Sequence, residues 1–271
     1  EFPTTGGKTA YGFYYPPQNK DFVAPEGELP PLIVQSHGGP TSSTSTALRS
    51  QIQYWTSRGI AVLDVDYGGS TNYGREYRER LNEQWGIVDI DDCVNGAKHL
   101  IAEGLVDPER VVIQGWSASG YTTLSALAFR DFFKAGISYF GIGDLEAMTR
   151  DTHKFESRYL DGLIGPYPEA IEVYKERSAI EHVDQISAPM LILQGLEDKV
   201  VPPNQAQMMY DAVKAKGLPV AMVLYDGEQH GFRKTDTIRH STDGSLYFLG
   251  KVFGFEPADE VPVIEIANLA V

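Results

Sequence analysis

The stretch "VVIQGWSASGYTTL", residues 111–124, decides how the rest of the chain is read. An apolar β-branched run meets Gly115, two serines stand in a turn of small residues, and a helix-forming run follows. Strand, tight turn and helix in that order make a nucleophile elbow, G-x-S-x-G, which holds a serine hydroxyl out where a base can reach it. The pattern is incomplete, because Ser119 stands at the second glycine position. Turn sterics choose between the serines. If Ser117 attacks, Gly115 and Ser119, both small, lie two positions before and after it. If Ser119 attacks, Tyr121 takes the later position and crowds the turn. Ser117 is therefore the candidate nucleophile, with Gly120 supplying slack beside Ser119.

Outward from this turn, short apolar runs alternate with helical stretches. Strands are expected over 9–15, 31–37, 59–67, 110–115, 135–140, 189–195 and 220–226, the first in an N-terminal hairpin. Helices are expected over 47–58, 87–103, 119–130, 203–216 and 235–253. Ile87, Ile90, Val94, Ala97 and Ile101 share one helical face, and Asp89, Asp91 and Asp92 crowd its first turn, where the helix dipole favours anions. Gly244 weakens the expected continuity of the last helix. Alternation of this kind implies a mostly parallel sheet with helices on both faces. Residues 144–187 break the rhythm, being polar and aromatic without a buried strand, and read as a helical insertion over a site.

Bulk composition narrows the function classes. The 271 residues suit one large domain, 1–271, and an apolar content of 42% supplies its core. With 23 basic and 37 acidic residues the net charge is -14, which repels phosphate backbones and anionic lipid, so neither nucleic acid nor membrane is an expected partner. Cys93 is the only cysteine, so there is no disulfide framework and no cysteine metal site, and a reducing, cytoplasmic setting is expected. The opening "EFPTTGGKTAYGFYY" lacks the pattern of a signal peptide and starts on strand-like sequence, as in a piece of a longer protein. No cofactor is called for, and the sequence does not fix an oligomeric state.

Ligands of an open parallel sheet bind at the carboxyl ends of its strands. Three such ends carry Ser117, then Asp198 in "LILQGLEDKVVPP", then His230 in "LYDGEQHGF". Ser, Asp, His is the chain order of the α/β-hydrolases, which is the expected fold. Glu197 is the rival of Asp198 on position alone. "HGGP" at 37–40 offers backbone N–H groups for a developing oxyanion, with Gly39 and the N–H of Ala118 as the expected donors. Tyr139, Phe140 and Leu145, after the next strand, together with Trp116, are the expected wall for the substrate acyl side chain.

The segments "SHGGPTS", "DVDYGGSTNYGREYRE", "WGIVDIDDC", "GWSASGYTTL", "DTHKFESRYLDG", "QGLEDKVVPPNQA" and "DGEQHGF" span nearly the whole chain. Together they resemble the catalytic domain of the prolyl oligopeptidase family of serine peptidases, in its acylaminoacyl peptidase and bacterial dipeptidyl aminopeptidase branch. The resemblance implies Ser117, Asp198 and His230 as a triad. It settles Asp198 over Glu197 through the pattern G-x-x-D-x-x-V-P, matched by Gly195, Val201 and Pro202. It also implies an N-terminal β-propeller that this sequence does not contain. Two positions depart from the family pattern: Ser119 replaces a glycine, and Gly68 stands where the family carries arginine. Ser119 is expected to slow turnover, and Gly68 to weaken contacts near the site. The expected function is hydrolysis of short peptides or acyl-peptides. A stand-alone esterase on small acyl esters is the alternative, and an inactive binding domain a third reading.

Overall fold

The computed structural model describes residues 1–151 and 158–269. Its first half runs β1 (Phe2–Thr4), β2 (Lys8–Tyr15), β3 (Leu32–Ser36), α1 (Ser50–Thr56), β4 (Ala61–Asp66), α2 (Gly74–Arg78), α3 (Val88–Ala102), β5 (Val111–Trp116) and α4 (Ala118–Phe129). The second half runs β6 (Ala135–Tyr139), α5 (Leu145–Asp151), α6 (Tyr159–Leu163), α7 (Ile171–Glu176), β7 (Met190–Gly195), α8 (Pro203–Ala215), β8 (Val220–Tyr225) and α9 (Thr235–Phe253). The strands form one sheet in the order β1-β2-β4-β3-β5-β6-β7-β8. β1 and β2 pair antiparallel at one edge, β2 pairs antiparallel with β4, and the remaining pairs are parallel. This is the α/β-hydrolase arrangement.

The pleat sends alternate residues to two cores. Leu32, Val34, Ile113 and Ile192 face a core shared with α3, α4, α8 and the insertion. Ile33, Val112, Leu191 and Leu193 face a second core with α1 and α9. α4 is buried all round, every residue from Ala118 to Ala128 being out of solvent, as a helix at the centre of a layered fold requires. Gly244 does not interrupt α9, because it faces the core, where Ile264 lies against it.

The chain order reverses direction at β3. β4 lies on one side of it and β5 on the other, so the loops that leave β3 and β5 open a crevice at the carboxyl edge of the sheet. Those loops are "HGGP" and the turn at Ser117. Between β6 and β7, the described part of 144–187 holds α5, α6, α7 and a 3₁₀ segment, Ala179–Gln185, the last packed against α4 and α8. The first six residues of "THKFESRY" (152–159) lie outside the described residues.

Candidate active site

The turn after β5 holds Ser117 at φ 57° and ψ -120°, a conformation that L-residues rarely adopt. Strain of this kind costs about 1–3 kcal/mol and persists only where the surroundings impose it. Here the Ser117 N–H donates to the Tyr139 carbonyl at 3.0 Å, and the Ser117 carbonyl accepts from the Tyr121 N–H at 3.0 Å. Gly115 and Gly120 cannot be replaced: a β-carbon would strike the Ser119 backbone in the first case and lie 2.6 Å from Gly141 Cα in the second.

Ser119 is more than a tolerated substitute. Its hydroxyl accepts from the Trp116 N–H at 2.7 Å and donates to the Trp116 carbonyl at 3.0 Å, closing the turn from inside. These two bonds give the Ser119 hydroxyl a place in the turn that a glycine would leave empty. The space beside Gly68 is occupied by other side chains. The Arg80 side chain packs at 3.2 Å from where a Gly68 β-carbon would be, and its guanidinium lies over Tyr77. An arginine at 68 would meet Arg80 and Val88 in that space.

Asp198 and His230 follow β7 and β8. His230 Nδ1 lies 2.8 Å from Asp198 Oδ2, and His230 Nε2 lies 2.8 Å from Ser117 Oγ. The Asp198 side chain is wholly buried, and its other oxygen accepts from the Val200 and Val201 N–H groups at 2.8 and 2.9 Å. The rival Glu197 is exposed. The loop carrying His230 is braced by buried Glu228, whose carboxylate accepts from the Arg233 and Lys234 N–H groups, both at 2.9 Å. Phe140 meets the His230 ring edge-on at 4.9 Å. This arrangement can move a proton from Ser117 to a neutral imidazole whose tautomer is fixed by a buried carboxylate.

Ser117 and His230 open onto a cavity of about 310 Å³. Gly39, Pro40 and Ala118 form one side. Trp85, Ile142, Met148, Tyr159, Leu160, Val200 and Val201 form an apolar wall. Among the described residues, the N–H groups of Gly39 and Ala118 bond to no other protein group. Tyr159 also ties the insertion to the loop after β3, its hydroxyl 2.6 Å from Thr41 Oγ1.

The residues expected to form that wall lie elsewhere. Trp116 and Tyr139 are register partners, stacked at 4.9 Å, and the pleat turns both toward α9. With Phe140 they line a separate cavity of about 580 Å³ on that side of the sheet. Tyr139 is pinned there by a hydroxyl contact to Ser245 at 3.0 Å. Leu145 is fully buried in the core beside α4 and reaches neither cavity. Of the residues lining the 310 Å³ cavity, Val200 and Val201 stand two and three residues after Asp198, and Trp85 and Tyr159 lie in segments already quoted for the family resemblance. Their strings were visible, but nothing in them pointed to one cavity. Among the described residues, no group of three or more His, Cys, Asp or Glu could hold a metal ion, and no helix is long and apolar enough to cross a membrane.

The sequence model of the prolyl oligopeptidase family matches residues 46–256. The chain belongs to this family of serine peptidases. Dipeptidyl aminopeptidase BIII of Pseudoxanthomonas mexicana is 30% identical over 230 residues, 83% of this chain and 33% of that protein. A Mycobacterium tuberculosis puromycin-hydrolyzing peptidase superimposes with a TM-score of 0.95 at 48% identity, over 98% of this chain and 40% of that one. A puromycin hydrolase gives a TM-score of 0.95 at 43% identity, over 98% of this chain and 40% of that one. A mutant of a puromycin hydrolase has been solved complexed with PGG. This prolyl oligopeptidase-family chain thus spans about a third of the curated relative and 40% of these solved structures.

Proposed function

We propose that the chain is the catalytic domain of a serine peptidase that cleaves short peptides or acyl-peptides through an acyl-enzyme. The unbroken line from Ser117 Oγ through the His230 ring to Asp198, with both contacts at 2.8 Å, carries this reading. Ser117 Oγ attacks the scissile carbonyl carbon as its proton passes to His230 Nε2. The carbonyl oxygen, now anionic, takes hydrogen bonds from the Gly39 and Ala118 N–H groups. Collapse breaks the C–N bond, and His230 returns the proton to the departing amine. Water, deprotonated by His230, then attacks the ester and releases the acid and Ser117. Asp198 holds the His230 tautomer and offsets the imidazolium charge.

An apolar or aromatic acyl-side residue fits the 310 Å³ cavity. Its lining among the described residues is mostly apolar: Trp85, Ile142, Met148, Leu160, Val200 and Val201. That apolar lining favours, as a second reading, small acyl esters as substrates of this chain by itself. The puromycin-hydrolyzing relatives suggest aminoacyl amides within the same class. We assign selection of the peptide end to an N-terminal β-propeller partner, in keeping with the greater length of the relatives. The lone, buried Cys93 fits a cytoplasmic setting.

A fluorophosphonate probe tests the reading. The chain is expected to label, Ser119→Ala to label, and Ser117→Ala to stay blank. An unlabelled chain favours the inactive binding domain, and labelling of Ser117→Ala overturns the nucleophile. Rates on a peptide anilide, puromycin and a p-nitrophenyl ester then separate peptidase from esterase.

A further inference from the structure

His37 heads the "HGGP" segment, yet no step above uses it. Its side chain is 6% exposed and packs on the Tyr67 ring with centroids 4.5 Å apart. Nδ1 lies 2.9 Å from the Gly38 carbonyl oxygen, and Nε2 lies 2.7 Å from Ser70 Oγ. A carbonyl oxygen only accepts, so Nδ1 carries a proton. Burial lowers the pKa of the ring, against the pull of Asp66 3.9 Å from Nε2 and of Asp64 beyond it. In the neutral ring Nε2 then accepts from the Ser70 hydroxyl at 2.7 Å, whose single proton is shared with the Tyr67 carbonyl 2.8 Å away. The Tyr67 hydroxyl, 3.4 Å from Nδ1, donates to the Pro40 carbonyl at 2.6 Å.

The Gly38 carbonyl and the Gly39 N–H belong to one peptide unit, and that unit is not among the cis bonds. In a trans unit the C=O and N–H point in opposite directions across a rigid plane. Drawing the carbonyl to His37 therefore turns the N–H away from His37, toward the cavity that Gly39 shares with Ser117. Glycine flanks the plane on both sides, and Gly39 sits at φ 121°, so no side chain of the segment resists its rotation.

We propose that His37 is a positioning residue whose Nδ1–H bond to the Gly38 carbonyl aims the Gly39 N–H at the oxyanion. This rests on the reading of Gly39 as an oxyanion donor.

Three variants separate aim from shape. The amide nitrogen of His37→Asn sits where Nδ1 does and keeps the donor. His37→Gln places its amide toward Ser70 and loses the Gly38 bond. His37→Phe keeps a flat ring against Tyr67 and has no donor. On a p-nitrophenyl ester, Gln and Phe are expected to lower kcat by about 10- to 100-fold, with KM within about two-fold, whereas Asn stays within about three-fold of the parent. Sulfur accepts hydrogen bonds poorly, so the preference for the ester over its thionoester should fall by a similar factor in Gln and Phe and persist in Asn. Thermal unfolding establishes that each variant is folded. A folded Gln or Phe variant with parental kcat and parental ester preference overturns the proposal, as does an Asn variant as slow as Gln. If both donor-less variants fail to fold, the Asn result decides: a retained preference supports the aim, and a lost one refutes it. A parent chain that neither labels nor turns over would instead overturn the hydrolase reading itself.

Discussion

At the scale of single residues, the elbow shows how one hydroxyl can replace a bare backbone. Ser119 fills the place of a glycine and makes two hydrogen bonds to Trp116. Ser119→Gly should lower stability by about 1–2 kcal/mol, since the Trp116 groups lose their partner, and should leave turnover no faster. Denaturant unfolding with steady-state kinetics checks both, and a faster, equally stable variant would restore the view that Ser119 obstructs. Asp198→Asn should lower kcat by about 10⁴-fold while the fold persists, because an amide can donate to His230 and stabilise the wrong tautomer. Single-turnover kinetics on an activated ester reads that loss. Ser117 and His230 were readable because each stands at a strand end in a short string whose chemistry is local, small residues around Ser117 and "HGF" after β8, whereas Asp198 was told from Glu197 only through the family pattern around "DKVVP". The roles of Ser119 and His37 were not readable, because each depends on which backbone group a side chain meets in space.

At the scale of elements, apolar runs and helical spacing located strands and helices to within a few residues, and the break at 144–187 announced the insertion. What periodicity does not carry is the face a strand end presents beyond its last pair. Trp116 and Tyr139 flank the nucleophile turn in sequence and register, yet the pleat commits them to the α9 side, opposite the cavity beside Ser117. The acidic first turn of α3 also does more than meet a dipole. Asp89 is fully buried and accepts from the Gly86 N–H at 2.7 Å and the Thr122 hydroxyl at 2.6 Å, joining the loop of Trp85 to α4. Burial pushes its carboxyl up from 3.8 to about 6, with those two bonds acting the other way. The folded chain therefore keeps this proton through a window in which the unfolded chain has released it. The contribution of Asp89 to stability is full below pH 3.8 and declines as pH rises through about 6. The Tm of the parent minus that of Asp89→Asn should thus fall between about pH 4 and pH 6.5 and level off above. A difference that does not change with pH would contradict this.

At the scale of the whole molecule, the cavity wall comes from loops after β3, β6 and β7, the loop before α3, and the insertion, and it exists only once all are assembled. Ile142→Trp should push an indole ring into the 310 Å³ space beside Ser117. The variant is expected to hydrolyse an acetyl ester at near-parental rate and a phenylalanyl ester at least about ten-fold more slowly, in line with the cost of overpacking an apolar pocket. Equal slowing on both esters would place the acyl group elsewhere. The same assembly bears on the chain during its synthesis. Ser117 precedes His230 by 113 residues, so the hydroxyl leaves the ribosome long before its base exists. Until β8 adds to the sheet edge and delivers His230, the serine is an ordinary alcohol, and the nascent chain cannot acylate itself or cut its neighbours.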